Sequence, residues 1–331
     1  MRPPFLLTLC LLAACTSPPE VSAPPPPSSL ASVAALDYRV PRSDIPVIEL
    51  DVGDRGRFLF IIDTGANQSA VYLDWADEMG AVSTNDTSLV IRSLTGIENR
   101  PVAKLDALRI GDRRYDDLPV ALLERRRVPP NIAGVLGTDI LTDFALLFDP
   151  ATGQVHFLDP AHFDASLYAA WDRVPLSNDR PRDTPFKLWF GETRFGDDIF
   201  PVLIDTGADF SVMNWPAALR RQNVDAVYQT LLDEWKIAGA VGEFRPSMAL
   251  IVDNLVMGEH RWGAPRFIVL DLEALDNIGA HEEPMLIAGA NMFWARRYVI
   301  DFAGEQLLID PEGPHLEYEQ ADPGRDQTRH E

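Results

Sequence analysis

The hexapeptide Ile61-Ile62-Asp63-Thr64-Gly65-Ala66 returns as Leu203-Ile204-Asp205-Thr206-Gly207-Ala208, with the second Asp 142 positions after the first. In both copies an apolar run suited to a buried strand delivers an aspartate onto a Thr-Gly turn. Asp and Gly favour turns, so one copy alone would be explained as an ordinary turn after a strand. Average residue usage makes one Asp-Thr-Gly in a chain of 331 residues a chance event of roughly a few in a hundred. Two copies in matching contexts are far rarer, and they read as two halves of one site.

The order of elements after each copy supports a duplication. After the first, Tyr72 to Met79 suits a short helix stopped by Gly80. Ser93-Leu94-Thr95-Gly96 suits a hairpin tip, and Leu108-Arg109-Ile110-Gly111 a strand entering a turn. Val120 to Leu123 reads as a further strand, Val135-Leu136-Gly137 precedes a helical turn, and Leu146 to Phe157 reads as a hairpin around Gly153. In the second half, Phe186 to Gly191 is expected to match the opening strand (Ile48 to Val52) and the turn after it. Val252 to Gly258, Ile287-Ala288-Gly289 and Tyr298 to Phe302 answer the later elements. The offset grows from 142 to 152, so the second half carries about ten extra residues, placed in loops. Strand signals dominate, and the fold class expected is all-β, in two tandem lobes.

The rest of the chain frames these halves. Residues 1–15 hold Arg2 and a short apolar core from Phe5 to Ala14, too short to span a bilayer. They end in Leu12-Ala13-Ala14-Cys15, which resembles the lipobox of bacterial lipoproteins. The resemblance implies lipid modification of Cys15 and, with Thr16 rather than Asp following, sorting to the outer membrane, facing the periplasm; the alternative is a plain signal peptide with Cys15 a bystander. Residues 16–36, with Pro24-Pro25-Pro26-Pro27, read as an extended tether. The expected lobes are 37–160 and 185–311, with a linker at 161–184 rich in Asp, Arg and Pro, and a disordered tail at 312–331.

Composition narrows the chemistry. Charges sum to 29 − 50 = −21, which argues against binding nucleic acid through charge. The only cysteines are Cys10 and Cys15, so the folded lobes have no thiol for disulfides, thiolate catalysis or metal ligation. The six histidines show no metal-ligand spacing, and there is no Gly-x-Ser-x-Gly or phosphate loop. No cofactor and no metal are expected. Trp75 and Trp215, at similar places after each Asp, are assigned to packing.

With Asp63-Thr64-Gly65-Ala66, Asp205-Thr206-Gly207-Ala208 and the apolar-apolar-Gly elements in view, each half resembles a retropepsin-like aspartic protease domain. The joined pair resembles a short, single-chain relative of pepsin, over about residues 45–158 and 185–310. The resemblance implies barrel lobes related by a pseudo-twofold axis, a dyad of Asp63 and Asp205, and Thr64 and Thr206 each bracing the facing loop. It also implies that the elements ending in Gly137 and Gly289 pack beneath the Asp loops. Flap hairpins closing over substrate would fall at Thr95 and Gly96 in one half and Gly239 and Gly242 in the other.

The residue types suit that chemistry. Hydrolysing a peptide without metal or covalent nucleophile needs a base to activate water and an acid to protonate the departing group. Two carboxyls about 3 Å apart repel by about 5 kcal/mol at an effective dielectric of about 20, so one holds its proton while the other ionises. Aspartic proteases are the well-known case of such a shared proton. Gly65 and Gly207 permit close backbone approach, and the small Ala66 and Ala208 leave the cleft floor open. The expectation is therefore an aspartic endopeptidase acting on protein or peptide substrates, lipid-anchored through Cys15 and monomeric with an internal pseudo-dimer. The alternatives are a non-catalytic peptide- or partner-binding lipoprotein on the same scaffold, and pairing of each half with the same half of a second chain.

Overall fold

The computed structural model describes residues 31–39, 45–93, 96–126, 128–178, 188–220, 228–229, 237–238, 243–244, 248–252, 254–270 and 283–312. The first half comprises β1 (Ser32–Arg39), β2 (Val47–Val52), β3 (Arg57–Ile62), β4 (Ala70–Tyr72), α1 (Leu73–Met79), β5 (Val82–Ser93), β6 (Gly96–Leu105), β7 (Leu108–Ile110), β8 (Arg113–Tyr115), β9 (Leu118–Leu123), β10 (Ile132–Leu136), α2 (Thr138–Leu141), β11 (Ala145–Asp149) and β12 (Gln154–Leu158). The strand β13 (Asp172–Pro175) leads into the second half. Next come β14 (Phe190–Phe195), β15 (Asp198–Ile204), β16 (Ser211–Asn214), α3 (Trp215–Leu219), β17 (Tyr228–Gln229), β18 (Ile237–Ala238), β19 (Glu243–Phe244) and β20 (Met248–Ile251). The chain closes with β21 (Val256–Met257), β22 (His260–Arg261), β23 (Arg266–Leu270), β24 (Leu286–Ala288), α4 (Ala290–Phe293), β25 (Tyr298–Asp301) and β26 (Gln306–Ile309).

The duplication is written into the strand pairing. In the first lobe β3 lies parallel to β10, β10 antiparallel to β4, and β4 parallel to β9. In the second, β15, β24, β16 and β23 repeat that sequence of parallel, antiparallel and parallel partners. The apolar runs before each Asp are buried because neighbours flank them on both sides: Ile62 and Ile204 are 0% and 1% exposed. The helix after the first Asp runs over Leu73–Met79 and ends where Gly80 takes a left-handed conformation, as its sequence predicts.

The two lobes share one antiparallel sheet, in the order β13-β26-β25-β11-β12-β1. The hairpin ending each half meets the other at β11 and β25, with Leu146 opposite Ile300 and Phe148 opposite Tyr298. Phe148 stacks on Tyr298 at 4.6 Å between ring centroids. One apolar core runs through both lobes and this sheet, from Ile48 to Ile309.

Three expectations require correction. The tether does not extend to residue 36, because Ser32–Arg39 form β1, which pairs with β12 and then with β2. The segment 161–184 is more than a linker. Its aromatics Phe163, Tyr168 and Trp171 cover an apolar face made by Ala145, Leu147, Leu158, Val299 and Leu308, and its β13 pairs with β26. The turn matched to Gly191 lies instead at Gly196-Asp197, with Gly191 inside β14 and Gly196 at φ +63°.

The first two corrections have one cause. β1 and β13 are equivalent first strands of the repeat, each pairing with the last strand of its own half. The glycine of a tight turn packs against each: a Cβ on Gly111 would collide with the Val33 carbonyl, and one on Gly258 with the Arg173 carbonyl. Cys15 and all but the first residue of the expected tail 312–331 lie outside the described residues.

An ion triad fastens the shared sheet. Arg297 lies 3.1 Å from Asp149 of the first lobe and 3.8 Å from Asp310, and all three side chains are at most 16% exposed. Arg297→Ala would leave two poorly solvated carboxylates without their cation, so we expect a loss of about 2–4 kcal/mol. Urea unfolding followed by intrinsic fluorescence measures it; a loss below about 0.5 kcal/mol would place the sheet's strength in its apolar faces alone.

Candidate functional site

The ends of β3 and β15 bring Asp63 and Asp205 together between the lobes. Each Asp loop is tied to its own lobe in the same way. Asp63 N–H donates to the Leu136 carbonyl at 3.0 Å and Asp205 N–H to the Ala288 carbonyl at 3.0 Å. Asp63 Oδ1 accepts from Gly65 N–H at 2.9 Å, and Asp205 Oδ1 from Gly207 and Ala208 N–H at 3.0 Å each. The two carboxyls are close enough that each acts on the titration of the other.

The lobes are locked by a crossed set of hydrogen bonds. Thr64 Oγ1 donates to the Ile204 carbonyl at 2.7 Å and accepts from Thr206 N–H at 3.0 Å. Thr206 Oγ1 donates to the Ile62 carbonyl at 2.7 Å and accepts from Thr64 N–H at 3.2 Å. Both threonines are 1% exposed. The glycines then decide how closely the loops approach. A Cβ on Gly65 would penetrate the Asp205 carboxyl, and one on Gly207 the Asp63 carboxyl.

The apolar-apolar-Gly elements sit against the Asp loops. A Cβ on Gly137 would strike the backbone of Ala66 and Gln68, and one on Gly289 the backbone of Ala208 and Phe210. The Ala66 carbonyl accepts from Thr138 N–H, and the Ala208 carbonyl from Ala290 N–H, both at 2.8 Å.

Electrostatics single out the pair. Burial raises the carboxyl of Asp63 well above the ordinary carboxylate range, and the charge of Asp205 raises it further. Burial likewise raises Asp205, against the pull of its Gly207 and Ala208 hydrogen bonds. The two titrate as one unit. Tyr72 is felt from the same place: burial, then the Asp63 charge, pushes its phenol up to about 12, while Arg125 lies 4.6 Å over its ring and opposes the shift.

The sequence reading missed a further matched set. Ser69 and Ser211 each stand six residues after the Asp, and each is at most 2% exposed. Ser69 Oγ accepts from Gly137 N–H at 3.0 Å, while its O–H and N–H donate to Asp139 Oδ1 at 2.7 and 2.9 Å. Ser211 Oγ accepts from Gly289 N–H at 3.0 Å and gives the same pair of bonds to Asn291 Oδ1 at 2.8 and 2.7 Å. The signal was a Ser six residues after each Asp and a side-chain acceptor two residues after each glycine.

Of the flap positions, Gly96 faces Ser93 at the end of the β5–β6 hairpin, and Thr95 lies outside the described residues. Ile237–Ala238 pair with Glu243–Phe244, while Gly239 and Gly242 lie outside. Trp75 packs edge-on to Phe58 at 5.8 Å, and Trp215 lies against the main core, in line with a packing role. Among the described residues no three His, Cys, Asp or Glu side chains cluster as a metal ion would require.

Comparison with known proteins accords with this geometry. A family model described as aspartyl protease matches residues 48–140. Among solved structures, the aspartic proteinase from Irpex lacteus superposes with a TM-score of 0.53 at 15% identity, covering 85% of this chain and 97% of that one. The fold is that of a pepsin-like aspartic proteinase. No curated protein matches the chain. The aspartyl protease match covers the first Asp loop, whereas the fold match spans both lobes.

Removing either crossed hydroxyl should be costly. Thr206→Val leaves the buried Ile62 carbonyl and Thr64 N–H without their partner, for an expected loss of about 2–4 kcal/mol. Thr206→Ser keeps the hydroxyl and should lose less than about 1 kcal/mol. Chemical denaturation of the two variants side by side checks the contrast.

Proposed function

We propose that this protein is an aspartic endopeptidase whose single site is formed by Asp63 and Asp205 of one chain. The observation that carries the reading is the meeting of two buried carboxyls on matched loops, each accepting the N–H of its loop glycine and each lying where a Cβ on the opposing glycine would stand, with both raised above the ordinary carboxylate range. Such a pair holds one proton over a wide pH range. The ionised carboxyl can take a proton from water as its oxygen attacks the scissile carbonyl carbon, while the protonated one gives its proton to the carbonyl oxygen. Collapse of the tetrahedral intermediate then breaks the C–N bond, with a proton passing to the departing nitrogen. No metal or cofactor takes part in this scheme.

The flanking surfaces favour apolar side chains beside the scissile bond. Ala66 and Ile91 of the β5 strand each pack against the apolar cluster that holds Ile61, Ala70, Leu123 and Val135, and Ala208 against the one that holds Leu203, Val212, Ile268 and Ile287. Ile91 joins the hairpin that ends at Ser93 and Gly96 to this wall, which supports a flap role for that hairpin. The N-terminal Leu12-Ala13-Ala14-Cys15 supports anchorage of a monomer in the bacterial cell envelope through acylated Cys15, at the outer membrane. Metabolic labelling with a fatty acid tests the anchor: incorporation should vanish in Cys15→Ala.

Cleavage of a denatured protein mixture should be abolished by Asp63→Asn and by Asp205→Asn alike; half the activity surviving in either variant would point to two separate sites. Linkage gives a second expectation. Both carboxyls are raised in the fold, so their stabilisation is complete at acid pH and is lost as pH rises through the folded pair's range. Asp205→Asn removes the buried charge, so its unfolding temperature should exceed the wild type's by roughly 2–6 °C at neutral pH and match it in acid. Calorimetry across pH checks this without reference to activity.

A further inference from the structure

The lobes differ at one support of the Asp loops. In the second lobe Asn291 serves two ends at once: its Oδ1 accepts from Ser211, and its Nδ2 donates to the Arg266 carbonyl at 3.1 Å. In the first lobe the equivalent residue is Asp139, which accepts from Ser69 but, when ionised, has no proton to give. The carbonyl equivalent to that of Arg266 is that of Pro119. β4 sets Ala70 beside Ala121 and β16 sets Val212 beside Ile268, which fixes that correspondence. Gln68 supplies the missing donor: its Nε2 donates to the Pro119 carbonyl at 2.6 Å and to Asp139 Oδ2 at 2.8 Å. In the second lobe that position is Phe210, which packs into an apolar cluster.

We propose that Gln68 and Asp139 act together as a positioning unit for Asp63, replacing in the first lobe what Asn291 does alone in the second. The path to Asp63 is short. Asp139 fixes Ser69, Ser69 Oγ holds Gly137 N–H, and the strand ending at Leu136 accepts the Asp63 N–H. A support of this kind sets the orientation of a reacting carboxyl without touching substrate. Residues acting through one network couple in a double-mutant cycle.

The inference rests on the peptidase reading for its kinetic arm only. Gln68→Phe alone strips the Pro119 carbonyl of its donor and Asp139 of its third hydrogen bond. It should lower the unfolding temperature by roughly 3–6 °C and kcat by about tenfold, with KM within about twofold. Asp139→Asn alone sets an amide donor against the Gln68 amide and should cause a smaller loss. The double variant Gln68→Phe/Asp139→Asn recreates the second lobe's arrangement. It should recover to within about 2 °C and about twofold in kcat of the wild type, since the introduced amide can reach the Pro119 carbonyl.

The dyad's titration, followed by carboxyl 13C NMR, should shift in the Gln68→Phe variant and return in the double. That measurement needs no turnover, so an inactive wild type would sink the peptidase reading while the titration still decides the positioning role. Additive losses in the double variant would overturn the proposal. So would rescue of the unfolding temperature with the dyad's titration unmoved throughout, because the unit would then be a brace with no bearing on Asp63.

Discussion

Two threonine hydroxyls hold the site in being. Thr64 and Thr206 each reach across to the other loop, donating to a strand carbonyl and accepting a backbone N–H. All four bonds are buried, where an unmade partner costs far more than a made one gains. The exchange is therefore close to all-or-none: each loop can be satisfied only by the other. With the loops pinned at that separation, a glycine becomes necessary at 65 and 207, because any side chain there would occupy the opposing carboxyl. The raised pKa values result in turn, since two carboxyls forced together out of water cannot both be charged.

The shared sheet does the same work at longer range. β11 and β25 pair across the lobe boundary, and the stacked Phe148 and Tyr298 sit in the core common to both halves. A hinge at this place would let the dyad open; an antiparallel ladder with apolar faces on both sides resists it. Tyr168 and Trp171 complete the burial from outside, so a segment joining two lobes also seals the sheet that joins them.

Much of this is legible in the sequence because chemistry repeats more faithfully than packing. Asp, Thr and Gly at 63–65 and 205–207 cannot be exchanged without losing a specific bond or a specific approach, so they stand out as a repeat. The first strands are illegible for the opposite reason. Ser32–Arg39 and Asp172–Pro175 need only offer a backbone edge to β12 and β26, and one begins beside a proline run while the other is charged. Backbone pairing leaves little trace in side chains, and composition points to tether and linker instead. Gly191 misleads in a related way: a glycine in a strand reads as a turn, whereas its lack of a side chain admits Val174 and Leu176. Ser69 and Ser211 are legible in principle, since a second residue shares the offset of the Asp, but a lone Ser carries no chemistry until Gly137 and Asp139 are beside it.

Joining both halves in one chain has a consequence that two identical halves could not show. In a symmetric pair any change appears twice, so a carboxylate at 139 would also stand at 291 and would need its glutamine partner on both sides. Here the halves are free to solve one requirement separately. Gln68 with Asp139 in one lobe, and Asn291 alone beside the apolar Phe210 in the other, both offer an acceptor to the Ser and both give a donor to a strand carbonyl. What stays symmetric is the set of residues that must meet across the axis: Asp, Thr and Gly. What diverges lies among the bonds that each lobe makes within itself: Gln68 and Asp139 stand against Phe210 and Asn291, while Ser69 and Ser211 stay matched.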